Sequence, residues 1–334
     1  MNGNDGKIPI IVICGPTASG KTGLAVETAR LYGAEVINAD SMQIYSGMDI
    51  ATAMPTQAER GGVPHHLFGF LPPEREFSVA QWLCLARAKI ADLHKEGKIP
   101  IVVGGTGLYI SSLIDNILFD EIAADTAFRE QLREYARLHG NESLYERLRQ
   151  ADPEAASRLH MNNTKRVIRA LEVLEHSKEQ AGPRLLKSRA ACSPYEACVF
   201  GIVFENRQLL YERIEKRVDL MLSAGLLEEA KARYTASAEA SGDSARGGAQ
   251  AIGHKELWAF FEQKASLESC IEQLKQKTRN YAKRQMTWFR KIERLNPLYV
   301  NENSRTVHVL ESVSAVLKTA KFRKKNKKTF QNLL

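Results

Sequence analysis

Residues 15–22 read Gly15-Pro16-Thr17-Ala18-Ser19-Gly20-Lys21-Thr22, the spacing G-x-x-x-x-G-K-T. Glycines at the two fixed positions permit a tight loop whose backbone N–H groups converge on an anion. The positive end of a following helix dipole reinforces the same point. Lys21 would bring a full charge to a terminal phosphate, and Thr22 would hold a magnesium ion through its hydroxyl. The context agrees with the motif: an apolar strand-like run from Ile10 to Cys14 precedes it, and helical spacing of Leu24, Ala25, Thr28, Ala29 and Leu31 follows. The loop specifies a phosphate ligand without specifying a reaction.

Two further stretches end short strands with groups that can do chemistry. Glu35-Val36-Ile37-Asn38-Ala39-Asp40-Ser41 delivers a carboxylate, Asp40, at the carboxyl end of its strand. Ile99 to Tyr109 repeats the strand, Gly-rich turn and helix order and offers the Thr106 hydroxyl at the same sheet edge, where ligands of open parallel sheets bind. Between them, residues 42–52 are irregular and rich in hydrogen-bonding groups, as a binding segment would be. His65 and His66 are adjacent, so on an extended chain they face opposite ways. Without a third ligand at helical spacing they read as hydrogen-bonding residues rather than a metal site.

These groups need a scaffold, and the pattern indicates a P-loop NTPase-like α/β fold, a parallel sheet flanked by helices, with an all-helical insertion. Residues 1–114 form the first part of the core and 115–195 the helical insertion, where strand signals vanish. Residues 196–310 continue the core with basic helices, and 311–334 form a basic tail. A capped helix runs from Ser78 towards Gly97, and Asp152-Pro153 marks another helix start. In Lys165-Arg166-Val167-Ile168-Arg169, Ile168 faces inward with Leu171 and Leu174, while Lys165 and Arg169 share an outer face. Apolar residues 197–204 return to the sheet. One long helix is expected from about residue 206 to 232, and a mobile surface loop over 237–248. A helix from Leu267 to Arg290 buries Ile271, Leu274, Tyr281 and Trp288 and carries Lys275, Arg279, Lys283 and Arg290 near one side.

The chain has 334 residues, 44% hydrophobic, with Lys+Arg 47 against Asp+Glu 39 and a net charge of +8, which favours a polyanionic partner. Its five cysteines contain no C-x-x-C pair and read as reduced, buried thiols. No apolar run approaches the roughly eighteen residues of a membrane span, and no signal peptide precedes the first strand, so a cytoplasmic protein is expected. Three readings fit these parts. They are a small-molecule or nucleotide kinase or an NTPase using the phosphate loop, a transferase with diphosphate as leaving group, and a non-catalytic nucleic-acid-binding module.

Beyond the phosphate loop, several segments together resemble the bacterial tRNA dimethylallyltransferase (tRNA isopentenyltransferase) family in the family's order, from about residue 8 to 291. They are Asp40 to Thr52, Val63 to Leu67, Gly104 to Tyr109, Lys165 to Val173, Gln250 to Leu257 and Thr278 to Arg290. The resemblance implies transfer of a dimethylallyl group from its diphosphate to N6 of adenosine-37, immediately 3′ of the anticodon, by a magnesium-dependent enzyme. No DNA or membrane partner is implied, and a monomer is expected. Gly15, Pro16, Thr17, Ala18, Ser19, Gly20, Lys21 and Thr22 would then bind the diphosphate, with magnesium on Thr22. Asp40 would orient N6 and take its proton, Thr106 would lie beside the adenine, and Arg217, with Arg213 as the other candidate, would help hold the diphosphate.

The tRNA contacts implied are Asp40, Ser41, Met42, Gln43, Thr106 and Arg129. They continue with Lys165, Arg166, Val167, Ile168 and Arg169, then Gln250, Ala251, Ile252, Gly253, His254 and Lys255. The last group is Thr278, Arg279, Lys283, Arg284 and Gln285. Three departures from the family pattern bear on tRNA preference: Met54 where lysine is common, His254 where tyrosine is common, and Asn163-Thr164 in place of Asn-Asp. The C2H2 zinc finger of eukaryotic relatives has no counterpart.

Overall fold

The computed structural model describes residues 6–119, 125–177, 192–239, 248, 251–304 and 306–318. Its central strand is β1 (Ile8–Cys14). Side chains alternate across a strand, so Ile11 and Ile13 join one core with Leu24 and Ala29, while Ile10, Val12 and Cys14 join another with Trp82, Ile90 and Leu113. A continuous apolar run is what a strand covered on both faces requires. β1 lies between β4 (Pro100–Gly104) and β5 (Tyr195–Phe204). Beyond β4 come β2 (Glu35–Asn38) and β3 (His65–His66), and beyond β5 comes β6 (Leu295–Val300). All neighbours are parallel. The sheet is the expected one, with an addition: β6 carries no strong strand signal, and its Pro297 is tolerated because β6 is an edge.

The helices α1 (Lys21–Tyr32), α2 (Gln57–Arg60), α3 (Val79–Lys95) and α4 (Gly107–Ile114) follow the first strands. Ser78 and Gln81 form a reciprocal capping box at the start of α3, whose Trp82, Leu83, Ala86, Ile90 and Leu93 are buried. His66 accepts or donates to Glu35 at 2.6 Å and His65 meets the Val63 carbonyl at 2.8 Å.

Residues 115–193 form a second compact unit. It contains α5 (Thr126–Ala151), kinked at Gly140, with α6 (Pro153–Ser157) and α7 (Thr164–Ser177). Asp152 caps α6 by accepting the Ala155 N–H at 2.9 Å, with Pro153 following it. Leu132, Leu144, Leu148, Val167, Ile168 and Leu171 form this unit's core, whereas Leu174 is only half-buried.

The first unit resumes after β5. The single helix expected over 206–232 is two, α8 (Arg207–Ser223) and α9 (Leu226–Glu239), because the chain turns at Gly225 with φ 100°. α9 takes in residues 237–239 of the expected loop, and residues 240–247 lie outside the described residues. α10 (Lys255–Phe261), α11 (Leu267–Phe289) and α12 (Thr306–Leu317) complete the unit. The tail boundary at 311 is corrected: Val313 and Leu317 of α12 are fully buried in the core shared with α1. The basic run after residue 320 lies outside the described residues. Of the five cysteines, all free, Cys14 and Cys270 are buried, but Cys84 and Cys192 are exposed, contrary to expectation.

Candidate active site

The carboxyl ends of β1, β2 and β4 lead into the phosphate loop, Asp40 and Thr106 respectively. In the loop, Ala18 and Gly20 adopt positive φ, 60° and 87°, on either side of Ser19. Alternating handedness of this kind turns successive N–H groups towards one point, the geometry of an anion nest. Gly20 is the residue type that takes such a conformation without strain. The Ser19 hydroxyl is buried inside the loop with no hydrogen-bond partner among the described residues. A buried orphan hydroxyl calls for a ligand oxygen, so the loop suits a phosphate. Lys21 Nζ donates to the Pro16 carbonyl of its own loop at 2.8 Å. The Lys21 pKa is lowered to about 8, chiefly by burial and also by the Arg217 charge, against the opposing pull of Asp40 and Cys14. Among the described residues no three His, Cys, Asp or Glu side chains gather as a metal site. A magnesium ion here would therefore rest on Thr22, substrate phosphate oxygens and water, an arrangement its chemistry accepts.

Asp40 is held by hydrogen bonds from its neighbours and makes no ion pair among the described residues, although its charge acts on Lys21 and Arg217. The wholly buried Asn38 donates from Nδ2 to the Asp40 and Leu67 carbonyls, both at 3.0 Å, and accepts the Asp40 N–H on Oδ1 at 2.8 Å. Trp82 Nε1 donates to the Asn38 carbonyl at 2.8 Å, its ring stacked on Tyr109 with centroids 4.5 Å apart. Asp40 Oδ1 accepts the Met42 N–H at 3.0 Å. Thr106 Oγ1 accepts the Ser41 N–H at 2.9 Å and donates to Ser41 Oγ at 3.1 Å.

A cavity of about 240 Å³ opens beside these groups, lined by Thr17, Asp40, Ser41, Arg217, Tyr281 and Arg284 on its polar side. Met42, Ile214, Val218, Met221, Ala251, Ile252 and Leu274 line the rest, with Thr278. The two arginine candidates of α8 separate here. Arg217 lines the cavity, makes no hydrogen bond or ion pair among the described residues, and has its pKa lowered by burial against the pull of Asp40. Arg213 instead lies over the Phe204 ring at 5.3 Å. A desolvated guanidinium facing a cavity is a ready anion partner.

Several residues expected to contact a nucleic acid have other roles in this fold. Val167 and Ile168 are core residues of the second unit, because they lie on the apolar face of α7. In the same unit Arg129 makes a two-pronged ion pair with the buried Glu172, at 2.8 and 3.0 Å, and Arg169 reaches it at 2.5 Å; Lys165 and Arg166 are exposed. In the first unit, Gln43 donates to the Thr52 and Ala53 carbonyls and so braces the 42–53 segment. His254 is buried against Glu229 at 2.8 Å, and Glu229 also accepts the Ile50 and Ala51 N–H groups at 2.9 Å each. Gly253 is buried beside Ala51 and Lys255 is exposed. Gln250 lies outside the described residues.

The basic side of α11 is likewise redirected. Lys275 pairs with Asp219 at 2.9 Å, Arg279 with Glu215 at 2.7 Å, and Lys283 lies over the Tyr211 ring at 5.9 Å, all on α8. Gln285 is buried and hydrogen-bonded to the backbone at Thr17 and Gly105 and to the Tyr281 phenol. Thr278 and Arg284 do line the cavity. Tyr281, expected in the core, lines it too; burial pushes its phenol pKa up, with the Asp40 charge adding to the effect. Tyr281, Asn38 and Glu229 are the site residues that spacing alone misses. The only sign of them in the sequence is their nearness to Gln285, Asp40 and the Leu226 helix start.

A family model described as IPP transferase matches residues 43–292, and one described as isopentenyl transferase matches residues 8–65. The chain is 46% identical over 287 residues to a tRNA dimethylallyltransferase of Bacillus subtilis, covering 86% of this chain and 89% of that one. It is 43% identical over 313 residues to one of Acetivibrio thermocellus, covering 94% and 96%. Among solved structures it is similar to the full-length tRNA isopentenylpyrophosphate transferase of Bacillus halodurans, with TM-score 0.68 and 37% identity, covering 96% of this chain and 99% of that one. It is also similar to a eukaryotic dimethylallyltransferase acting on tRNA, with TM-score 0.77 and 29% identity, covering 95% and 77%.

Proposed function

The chain belongs to the IPP transferase family, and from that premise we propose how its residues transfer a dimethylallyl group from dimethylallyl diphosphate to tRNA. The acceptor is N6 of adenosine-37, in the anticodon loop. One observation carries the reading: a single cavity holds the Asp40 carboxylate, the phosphate loop at Thr17 and the unpaired Arg217 guanidinium. The Asp40 carboxylate and the desolvated Arg217 in this cavity, with the desolvated Lys21 in the adjoining loop, match a reaction in which a proton leaves one partner and a diphosphate leaves the other.

In this reading the C–O bond to the diphosphate breaks as the N6–C bond forms. Negative charge grows on the leaving oxygen, where Lys21, Arg217 and the N–H groups of the loop stabilise it; each such fixed donor is worth about a hundred- to a thousand-fold in rate. Thr22 would hold a magnesium ion, which would supply further positive charge to the leaving diphosphate. The adenine amine is a weak nucleophile that becomes acidic only as it attacks. Asp40 orients it and accepts its proton, an effect of about a hundred- to ten-thousand-fold. The apolar part of the cavity excludes water from the allylic carbon, which would otherwise be hydrolysed. The adenine must leave its stack to enter, which is cheap in a single-stranded loop. Lys165 and Arg166, exposed on α7, supply charge for the tRNA backbone. No described helix is long and apolar enough to cross a membrane, and with tRNA as substrate we place the protein in the cytoplasm, working as a monomer.

The test is to incubate the protein with unmodified tRNA, dimethylallyl diphosphate and magnesium, digest the tRNA and look for N6-dimethylallyladenosine by mass spectrometry. Product is expected from the wild type, and at least a hundredfold less from Asp40→Asn at unchanged tRNA affinity. ATP consumption without prenylated product would replace this reading by a kinase.

A further inference from the structure

Gln285 is buried and both ends of its amide are used. Its Oε1 accepts the Thr17 N–H of the phosphate loop at 2.8 Å, and its Nε2 donates to the Gly105 carbonyl at 2.9 Å. The polarity of the two partners sets the amide orientation, since only an N–H can meet one end and only a carbonyl the other. Gly105 precedes Thr106, whose N–H donates to the Ala39 carbonyl at 3.1 Å and whose hydroxyl accepts the Ser41 N–H at 2.9 Å. Ala39 and Ser41 flank Asp40. Hydrogen bonds therefore run from the phosphate loop through Gln285 to the turn at 105–106 and on to the backbone on both sides of the carboxylate.

The space around Gln285 is equally defined. A Cβ on Gly105 would lie 2.2 Å from Gln285 Nε2 and 3.1 Å from Asp40 Oδ2, so the amide passes close to the carboxylate with no room to spare. The helix that carries Gln285 is anchored on either side of it: Ala282 is fully buried with Leu210 and Ile214, and Phe289 lies in the core under the sheet. A buried side chain bonded at both ends on a helix fixed in this way is a rigid link.

We infer that Gln285 is a positioning residue, a strut that holds the diphosphate cradle and the base on one frame, and not a contact to tRNA. The inference rests on the roles proposed above for Asp40 and the phosphate loop. The reaction joins two groups held by different loops, one by residues 15–22 and one by Asp40. Misplacing either by about 1 Å costs roughly a hundredfold in rate. A strut acts on that distance and leaves the affinity for each substrate nearly untouched. A tRNA contact would do the opposite.

The decisive variant is Gln285→Glu, which keeps the shape. As a carboxylate it can accept from Thr17 but sets an oxygen against the Gly105 carbonyl; as a neutral acid it donates there and restores the strut. Burial and the nearby Asp40 charge hold the introduced acid's pKa above its usual range, so protonation falls in an accessible window. Single-turnover prenylation by Gln285→Glu relative to wild type should be down ten- to a hundredfold at pH 8 and recover as the pH is lowered to 5.5. Its tRNA dissociation constant should stay within twofold. Gln285→Met, isosteric and without hydrogen bonds, should be slow at every pH.

A weakened tRNA affinity with an unchanged single-turnover rate would overturn the inference, as would equal, pH-independent losses in both variants. In the wild type, which needs no folding control, the Thr17 amide should exchange slowly with deuterium before any ligand is added; exchange at the rate of an open loop would also overturn it. Active wild type, inactive Asp40→Asn and fully active Gln285 variants would remove the strut alone. Full activity of Asp40→Asn would remove the reading on which it stands.

Discussion

Lys21 titrates close to neutrality in the free protein, and this makes the pH dependence of diphosphate binding predictable. Its ammonium is desolvated and sits near the Arg217 charge, which together lower its pKa from 10.5 to about 8. A depressed lysine pKa means that the charged form is costly below about 8 and that the proton is lost as pH rises through it. In the mechanism proposed above, the charged form is the one that binds diphosphate. With a pKa of about 8, roughly one-tenth of the free enzyme carries the charge at pH 9, against nearly all of it for an ordinary lysine. Hence kcat/KM for dimethylallyl diphosphate, which reports the free enzyme, should fall about tenfold from pH 7 to 9, while kcat should fall less because bound diphosphate holds the proton on. The assay is steady-state prenylation at saturating tRNA and constant ionic strength. The causes of the shift give it direction: Arg217→Gln removes a lowering charge and should move the alkaline limb up, whereas Asp40→Asn removes a raising one and should move it down. As Asp40→Asn turns over poorly, its limb is read from pyrophosphate binding by calorimetry. A kcat/KM flat to pH 9.5, or limbs moving the other way, would refute the reasoning.

Two further outcomes follow from the same geometry. Arg217→Ala should raise KM for dimethylallyl diphosphate and lower kcat by about a hundredfold or more, while Arg213→Ala, which loses only a contact to Phe204, should change either less than about threefold in steady-state kinetics. Glu229 is pushed up by burial, but the hydrogen bonds from His254, Ala51 and Ile50 outweigh this and hold it below its ordinary value of 4.5. A depressed carboxylate stabilises the fold above its unfolded pKa and loses that contribution as pH falls through the folded one. Thermal melts should therefore show a steeper loss of Tm below about pH 4.5 in the wild type than in Glu229→Gln; parallel curves would show that this pair does not hold the 48–53 turn.

The chemistry-bearing residues were legible in the sequence wherever their spacing is set by local backbone geometry. The loop at 15–22, the strand ends carrying Asp40 and Thr106, the capped start of α3 and the Asp152-Pro153 helix start all depend on neighbours within a few residues. The alternation of β1 and the helical stripes could be read for the same reason. Charge on the surface of a helix could not be assigned that way. Lys275 and Arg279 of α11 look like a nucleic-acid stripe until α8 brings Asp219 and Glu215 against them.

The same limit explains the buried polar residues. Gln285, His254 and Gln43 stand in segments that resemble substrate contacts, yet each bonds groups distant in sequence: Thr17, Glu229 and the carbonyls of 52–53. Nothing local distinguishes a glutamine that faces solvent from one that ties two loops together. The sequence by itself determined the glycine-rich loop at 15–22, the carboxylate at the end of β2 and the sheet that presents them, because these are properties of short stretches and their periodicity. Only the tertiary structure decided which arginine of α8 faces the cavity, that Tyr281 lines it and that Gln285 spans it. Those facts depend on how α8 and α11 turn about their axes when Leu210, Ile214 and Ala282 pack together.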